Sequence, residues 1–371
     1  MASNATWRSP YRLQEAGLVL VILLLAALLT FGGGSVTVGG REVNNFLRVD
    51  NVVPNVATTM SWIAIMAVGA TVAIAGGGID ISVGSVFGLA ALGTAAVLQR
   101  FDEQASGWLV VPAAAAVALG IGLLCGLLNG AIVVGLRMHP FIVTLGTLSI
   151  FRGIALISVR TKSLPSGDHS LPLAFTSRFV SWQLVVERAG ATPLLIQPVP
   201  MLMMLAWVLA AWVFLSHMVA GRQVYAVGGN EEAARFSGIA INRVKLRMYA
   251  LSGLSAGLAG LVSTGFYGSA NTATGEGYEL MVIAAAVVGG ASLTGGRGTA
   301  LGALLGALVI KLIDNGTYIL KQVNLGFTTL PVSKEYSKII IGVAIILAVA
   351  IDRFSEYVQS RRLAMGARQK Q

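Results

Sequence analysis

Apolar runs long enough to cross a bilayer constrain this chain more than any other feature. They recur near 16–33, 54–75, 83–98, 108–136, 140–159, 200–219, 247–267, 279–293, 299–319 and 338–352. A spanning helix needs about 20 residues, and in hydrocarbon every backbone N–H and C=O must be satisfied within the protein. The fold class that meets both demands is all-α, a polytopic transmembrane bundle of about ten helices read as one domain over 1–371. Charged residues make up 11% of the chain and apolar ones 55%, against about 25% charged in an average soluble protein. The 45 glycines suit close helix packing in such a bundle.

The formal net charge of +10 reads as positive loops on the inner side. Nucleic acid is not implied, because no contiguous basic patch carries interleaved aromatics. With the N-terminus inside, the inner segments take Arg8, Arg12, Arg137, the cluster from Arg222 to Arg247, Arg297 and the basic tail, so both termini are expected in the cytoplasm. Residues 161–199 and 320–338 then lie outside. Pro165, Pro172, Pro193, Pro198 and Pro200 punctuate the first of these loops, which leaves room for a short interfacial helix around Arg178 to Glu187. Either loop offers a surface to an extracytoplasmic partner or is simply solvated. The run from Gly17 to Phe31 lacks a following A-x-A cleavage pattern and reads as a retained first helix. Cys125, the single cysteine, sits in LGIGLLCGLLNG and reads as a buried structural thiol.

One insert cannot lie in lipid. GRQVYAVGGNEEAARFSGIAINRVKLR, from Gly221 to Arg247, carries Glu231, Glu232, Arg235, Arg243, Lys245 and Arg247, and each charge at a helix centre costs roughly 2.5 to 3.5 kcal/mol on insertion scales. It is a handle for a soluble partner. GGGIDISVGS, from Gly76 to Ser85, interrupts two apolar runs, and three consecutive glycines break the helix there. Asp80 either caps the next helix, with Ser82, or presents a carboxylate to a transport path. A similar stretch recurs 212 residues on, where Gly77, Gly78 and Gly84 fall on Gly289, Gly290 and Gly296. Such a duplication fits transporter folds whose substrate route lies between the halves.

Polar residues inside apolar runs are few. Lys311 and Asp314 share a helix face and can pair, Arg152 either binds helix carbonyls or faces an aqueous passage, and Asn129, Thr144 and Thr147 serve as interhelical glue or as sugar contacts. Asp80, Asn129, Thr144, Thr147, Arg152, Asp314 and Asn315 are thus the candidate path residues. Enzyme chemistry has little support: His139, His169 and His217 stand in separate segments, no metal site is read, and no carboxylate pair has a catalytic setting. No lysine follows a glycine, so G-x-x-x-x-G-K-[ST] is absent and any ATP hydrolysis belongs to another chain. An ion-coupled secondary transporter of a small polar solute is the alternative, and a scaffold or receptor component that has lost transport is a third reading. The scarcity of membrane carboxylates weighs against the ion-coupled one.

GGGIDISVGS, GLLNG at 126–130, HPFIVTLGTLSIFRG at 139–153, GRQVYAVGGNEEAARFSGI at 221–239, TGEGYEL at 274–280 and VVGGASLTGGRGT at 287–299 resemble, in order, the membrane permease of ribose-type monosaccharide ABC importers. The resemblance implies a core of two permeases, the second being another copy or a paralogue, in a bacterial cytoplasmic (inner) membrane. Two cytoplasmic ATPase domains would carry ATP and Mg, an extracytoplasmic sugar-binding protein would deliver a monosaccharide or polyol, and this chain would hold no cofactor. Glu232, Ala233, Ala234 and Gly238 match the EAA-x-x-x-G pattern of the coupling loop, without its later I-x-L-P part. It implies an ATPase-coupling helix built from Asn230, Glu231, Glu232, Ala233, Ala234, Arg235, Phe236 and Gly238. Asn230 would cap the helix, Gly238 would end it, and the two alanines would seat in a groove. Met281 stands where an acidic residue is common, and both external loops are longer than usual for the family.

Overall fold

The computed structural model describes residues 10–350 and Arg353, apart from residues 39, 160, 168, 189–190, 321, 325–328 and 332. Helix α1 (Pro10–Gly32) leads through a hairpin, β1 (Ser35–Val38) and β2 (Arg41–Asn44), to a short turn α2 (Val49–Asn51). A π-helical turn, Val52–Thr58, then enters α3 (Met60–Ala75). There follow α4 (Val83–Leu98), α5 (Gly107–Gly135), α6 (Pro140–Ile157) and β3 (Ser163–Leu164). After a second π-helical turn, Thr176–Val180, come the hairpin β4 (Leu184–Arg188) and β5 (Ala191–Ile196), then α7 (Pro198–His217), α8 (Val219–Gly229) and α9 (Glu231–Phe236). The long α10 (Ile241–Tyr267) is followed by β6 (Ala270–Asn271), α11 (Tyr278–Val288), α12 (Ala300–Ile319), the hairpin β7 (Gln322–Asn324) and β8 (Thr329–Pro331), and α13 (Tyr336–Ala350).

Among the described residues seven helical spans are long and apolar enough to cross a membrane, and three shorter apolar helices, α4, α11 and α13, complete the ten expected runs. Burial sorts them. The span 49–75 is 89% buried and those of α10 and α12 are 72% and 67% buried, whereas α7 is 22% and α1 only 11% buried. The bundle therefore has α3, α10 and α12 at its centre, and the outer faces of α1, α5, α6 and α7 carry exposed leucine, isoleucine and valine as lipid requires.

Helices α5 and α10 touch backbone to backbone. Gly122 and Gly126 of one face Gly253 and Gly257 of the other, and a methyl group built at Gly253 would lie 2.8 Å from the Gly126 Cα. Both pairs are G-x-x-x-G spacings, which let helix axes approach closely in lipid. GLSAG at 253–257 also spells G-x-S-x-G, but it lies inside α10, without the strand–turn–helix setting of a nucleophile elbow. Its glycines are packing residues.

The two glycine-rich breaks end their helices with the same bonds. Gly77 N–H donates to Ile74 and Gly78 N–H to Ala73, while Gly290 N–H donates to Val287 and Ala291 N–H to Ala286, all at 2.9 Å. Gly77 (φ +79°) and Gly290 (φ +96°) hold the left-handed position of each turn. Bonding thus equates residue 77 with 290, an offset of 213, one more than the gap-free sequence match. The next helices start at 83 and 300, so the second linker is longer by four residues (300 − 83 = 217).

The interfacial helix expected around Arg178 to Glu187 is absent. That stretch instead holds the end of the π-helical turn and strand β4, which pairs antiparallel with β5. Val185, Val186, Leu194 and Leu195 give it β-branched and apolar pairs across a hairpin, whose ladder pairs the backbones of the two strands. Loop 161–199 is tied down by β3–β6 pairing and by Ser181 Oγ, which donates to the carbonyls of Gly265 and Phe266. Arg8 and the tail beyond Arg353, which enter the orientation argument, lie outside the described residues.

Gly253→Val is expected to destabilise the folded bundle by about 1–3 kcal/mol or more through overpacking. Gly146→Val, where an added Cβ meets nothing within 4 Å, is expected to be neutral, and thermal unfolding in detergent compares the two.

Candidate functional site

Helix α9 forms at Glu231–Phe236 because both ends are closed locally. Asn230 Oδ1 accepts from Ala233 N–H at 2.9 Å, and Gly238 (φ +80°) turns the chain so that Ile239 N–H reaches Ala234 O at 3.1 Å. Glu231 ties the helix to the bundle through Lys245 Nζ of α10 at 2.8 Å, with Arg235 Nη2 at 3.2 Å. The Lys245 hydrogen bond, ahead of the other contributions, holds the Glu231 carboxyl below its ordinary value. Ala234 is buried in an apolar cluster with Val227, Ile241 and Val244. Glu232, Ala233, Arg235 and Phe236 point outward, Phe236 with 83% of its surface exposed. Of the two alanines expected in a partner's groove, only Ala233 is available, because Ala234 packs against the chain's own bundle.

The residues just before α9 are clamped between the two breaks. Gly228 lies so close to Ala75 O and to Gly295 that no side chain fits there, and Gly296 N–H donates to Ala75 O at 2.8 Å. Tyr225 Oη donates to Gly298 O at 2.6 Å. Helix α8 is thereby joined to both glycine-rich breaks.

Asp80 is 2% exposed and caps nothing. Ser82 occupies the N-cap position of α4 without a side-chain capping bond. Asp80 Oδ1 accepts from Ser82 N–H at 3.0 Å and Ser82 Oγ at 2.7 Å, and Oδ2 accepts from Ser252 Oγ of α10 at 2.7 Å. Asn129 Nδ2 of α5 donates to Ser82 Oγ at 2.8 Å and lies 3.4 Å from Asp80 Oδ1. Thr144 Oγ1 of α6 reaches Ile79 O at 3.2 Å. Among the described residues no cation pairs with Asp80, so hydroxyl and amide donors alone offset the cost of burying it.

The seven path candidates do not form one group. Asp80, Asn129 and Thr144 meet at the first break, and Thr147 spends its hydroxyl on Thr144 O at 3.3 Å. Arg152 donates through Nη1 to Thr274 O at 2.8 Å and Thr272 O at 3.4 Å, so it holds the loop entering α11 rather than helix carbonyls. Asp314 pairs with Lys311 at 2.8 Å, and their side chains are 18% and 14% exposed. Asn315 exchanges amide hydrogen bonds with Asn51 at 2.9 and 3.1 Å.

Residues 52–349 match the family described as the permease component of branched-chain amino acid transport systems. The ribose import permease of Escherichia coli (strain K12) is 35% identical over 342 residues, covering 92% of this chain and 94% of that one. The D-allose transport system permease of the same strain is 34% identical over 317 residues, 85% and 87% of the two chains. The autoinducer 2 import system permease of Photorhabdus temperata is 32% identical over 302 residues, 80% and 82%. This chain belongs to the ABC importer permease family. It is a multi-pass membrane protein and a transport component.

Ser252 is the member of the Asp80 cluster that reading the permease's sequence missed. It adjoins Gly253, and the paired G-x-x-x-G spacings of α5 and α10 are the signal that could have found it. Ser252→Ala should destabilise the permease by about 1–3 kcal/mol, the cost of an unsatisfied buried acceptor, and Asp80→Ala, which orphans several donors, by more; thermal unfolding in detergent checks the order. A second prediction concerns pH. Because the folded Glu231 value is depressed, its stabilisation is complete above the ordinary carboxylate value and is lost as pH falls through the lower, folded one. Hydrogen exchange of α9 amides, corrected for intrinsic rates, should stay constant at neutral pH and rise only under acid conditions. Lys245→Met should expose the same opening at neutral pH.

Proposed function

We propose that this permease forms the membrane path of an ATP-driven importer for a monosaccharide or related polyol, delivered by an extracytoplasmic binding protein. Ribose and D-allose, the cargoes named for two relatives, are monosaccharides, and that supports the class. The observation that carries the coupling assignment is the two-sidedness of α9: Ala234 and Glu231 bind it to the bundle, and Glu232, Ala233 and Phe236 face outward. A separate ATPase, holding ATP and Mg, closes against that outward face. Because α8 is wedged against Ala75, Gly295 and Gly296, the closure reaches both halves as a rigid displacement. A second permease, a copy or a paralogue, completes the core in a bacterial inner membrane, with both termini cytoplasmic.

Glu232→Lys combined with Ala233→Trp is expected to abolish association with the ATPase while insertion and folding persist, because both side chains lie on the exposed face. Co-purification from membranes tests this, and recovery of the double variant with a fully coupled ATPase would sink the assignment.

A further inference from the structure

Helices α3, α7 and α10 leave a space between them. Gly69 of α3 lies so close to Ser255 of α10 that no side chain fits there, and those two helices touch. Helix α7 packs over the contact and presents Ala210 and Ala211, whose methyl groups do not fill the gap. The result is a cavity of about 140 Å³, with Val68 and Val72 on its α3 wall, Leu251 on its α10 wall, and Trp207 and Phe214 a turn to either side of the alanines. Its lining is dry. The two polar side chains in it are spent: Trp207 Nε1 donates to Ser255 Oγ at 3.0 Å, and Ser255 Oγ donates to Leu251 O at 2.8 Å. All the lining residues lie inside α3, α7 and α10, whose backbone groups bond within the helix. That leaves a single lone pair on the serine oxygen. A buried water needs roughly two to four polar partners, and a sugar needs more, so neither suits the space. Apolar cavities of about 150 Å³ stay dry and take benzene.

Burial is graded across the cavity. Val68 and Val72 are buried, Trp207, Ala211, Phe214 and Leu251 are half-buried, and Ala210 is exposed. The cavity therefore opens past Ala210 onto the outer face of α7, where Leu202, Leu205 and Leu209 are exposed. In a multi-pass membrane protein that face is the boundary with the bilayer, so the cavity continues an interface already present and has acyl chains at its mouth. Lipid and lining are equally apolar. What favours entry is contact, because walls that face a void lose their dispersion partners.

We propose that this cavity is a lipid site, occupied by the acyl chain of a membrane phospholipid that enters past Ala210 and lies between α7 and the α3–α10 contact. Phe214 stands at its edge, and the next residue, Leu215, belongs with Val72, Val224 and Ala234 to the cluster that seats α9. The chain thus lies against the segment through which α7 hands over to α8 and α9. The site requires only that α7 face the bilayer, so it stands independently of what the permease carries.

The test places the full chain, purified with the subunits that accompany it, in nanodiscs containing a phosphatidylglycerol with a photoreactive diazirine in one acyl chain. After illumination, mass spectrometry of peptides locates the adducts. Label is expected on Val68 and Val72, which are 1% and 2% exposed and out of reach of bulk lipid, as well as on the lipid-facing Leu205 and Leu209. Ala210→Phe and, separately, Ala211→Phe put a ring of benzene's size into the space. Both should lose the label on the two valines and keep it on Leu205 and Leu209. Leu205→Phe, on the outer face and not in the cavity lining, should label the valines as the unmodified chain does. Label confined to outer-face residues overturns the site, and so does label on the valines that persists in both alanine variants. Label on the valines that appears only in dispersed single chains and vanishes in the assembled core assigns the opening to a second permease, which overturns the lipid site as well.

Discussion

Where α5 and α10 cross, Gly122 and Gly126 face Gly253 and Gly257, and the two backbones meet with no side chain between them. That contact decides where the buried polar groups sit. Ser252 adjoins one of these glycines and Asn129 lies three residues beyond another, so closing the helices together carries both to the break at 76–82, where Asp80 awaits donors. A side chain at the crossing would push the helices apart and leave a carboxylate buried without partners, which is far more costly than the glycines' own loss of backbone freedom. Packing and polar satisfaction are one arrangement here.

A second set of close backbone approaches links this core to the outward-facing helix. Gly228 fits against Ala75 and Gly295 because none of these contacts involves a bulky side chain, and the two helix-ending turns, alike in their bonds, converge on the end of α8. Tightly packed elements move as units rather than deforming smoothly. Force applied to α9 therefore reaches α3 and the start of α12 through hard contacts, and reaches α10 through Glu231 and Lys245.

Much of this was legible because it is local. Helix α9 runs over the residues expected of it, since Asn230 and Gly238 act on neighbours three or four positions away, and Lys311 pairs with Asp314 one helical turn on. Ten apolar runs became ten helices for the same reason. Other features depend on partners far along the chain. Ser252 bonds Asp80 across 172 residues, and Arg152 reaches Thr274 across 122. The hairpin at 184–196 took the place of an expected helix because two β-prone stretches found each other, which neither announces alone. Ala234 turned inward because α9 lies against the bundle, a choice that spacing within a six-residue helix leaves open.

By itself the sequence determined that this protein is a membrane-spanning helical bundle, where its helices break, and that one insert is too highly charged to be a spanning helix, because hydropathy, capping and glycine act over a turn or less. Only the tertiary structure decided which polar groups meet and which faces stay exposed. Asp80 gained donors from α10 and α5, Arg152 took a loop rather than a helix, and Trp62 came to lie against Phe266 and Tyr267. Those pairings are set by which helices the glycines allow to touch, and no segment carries that information alone.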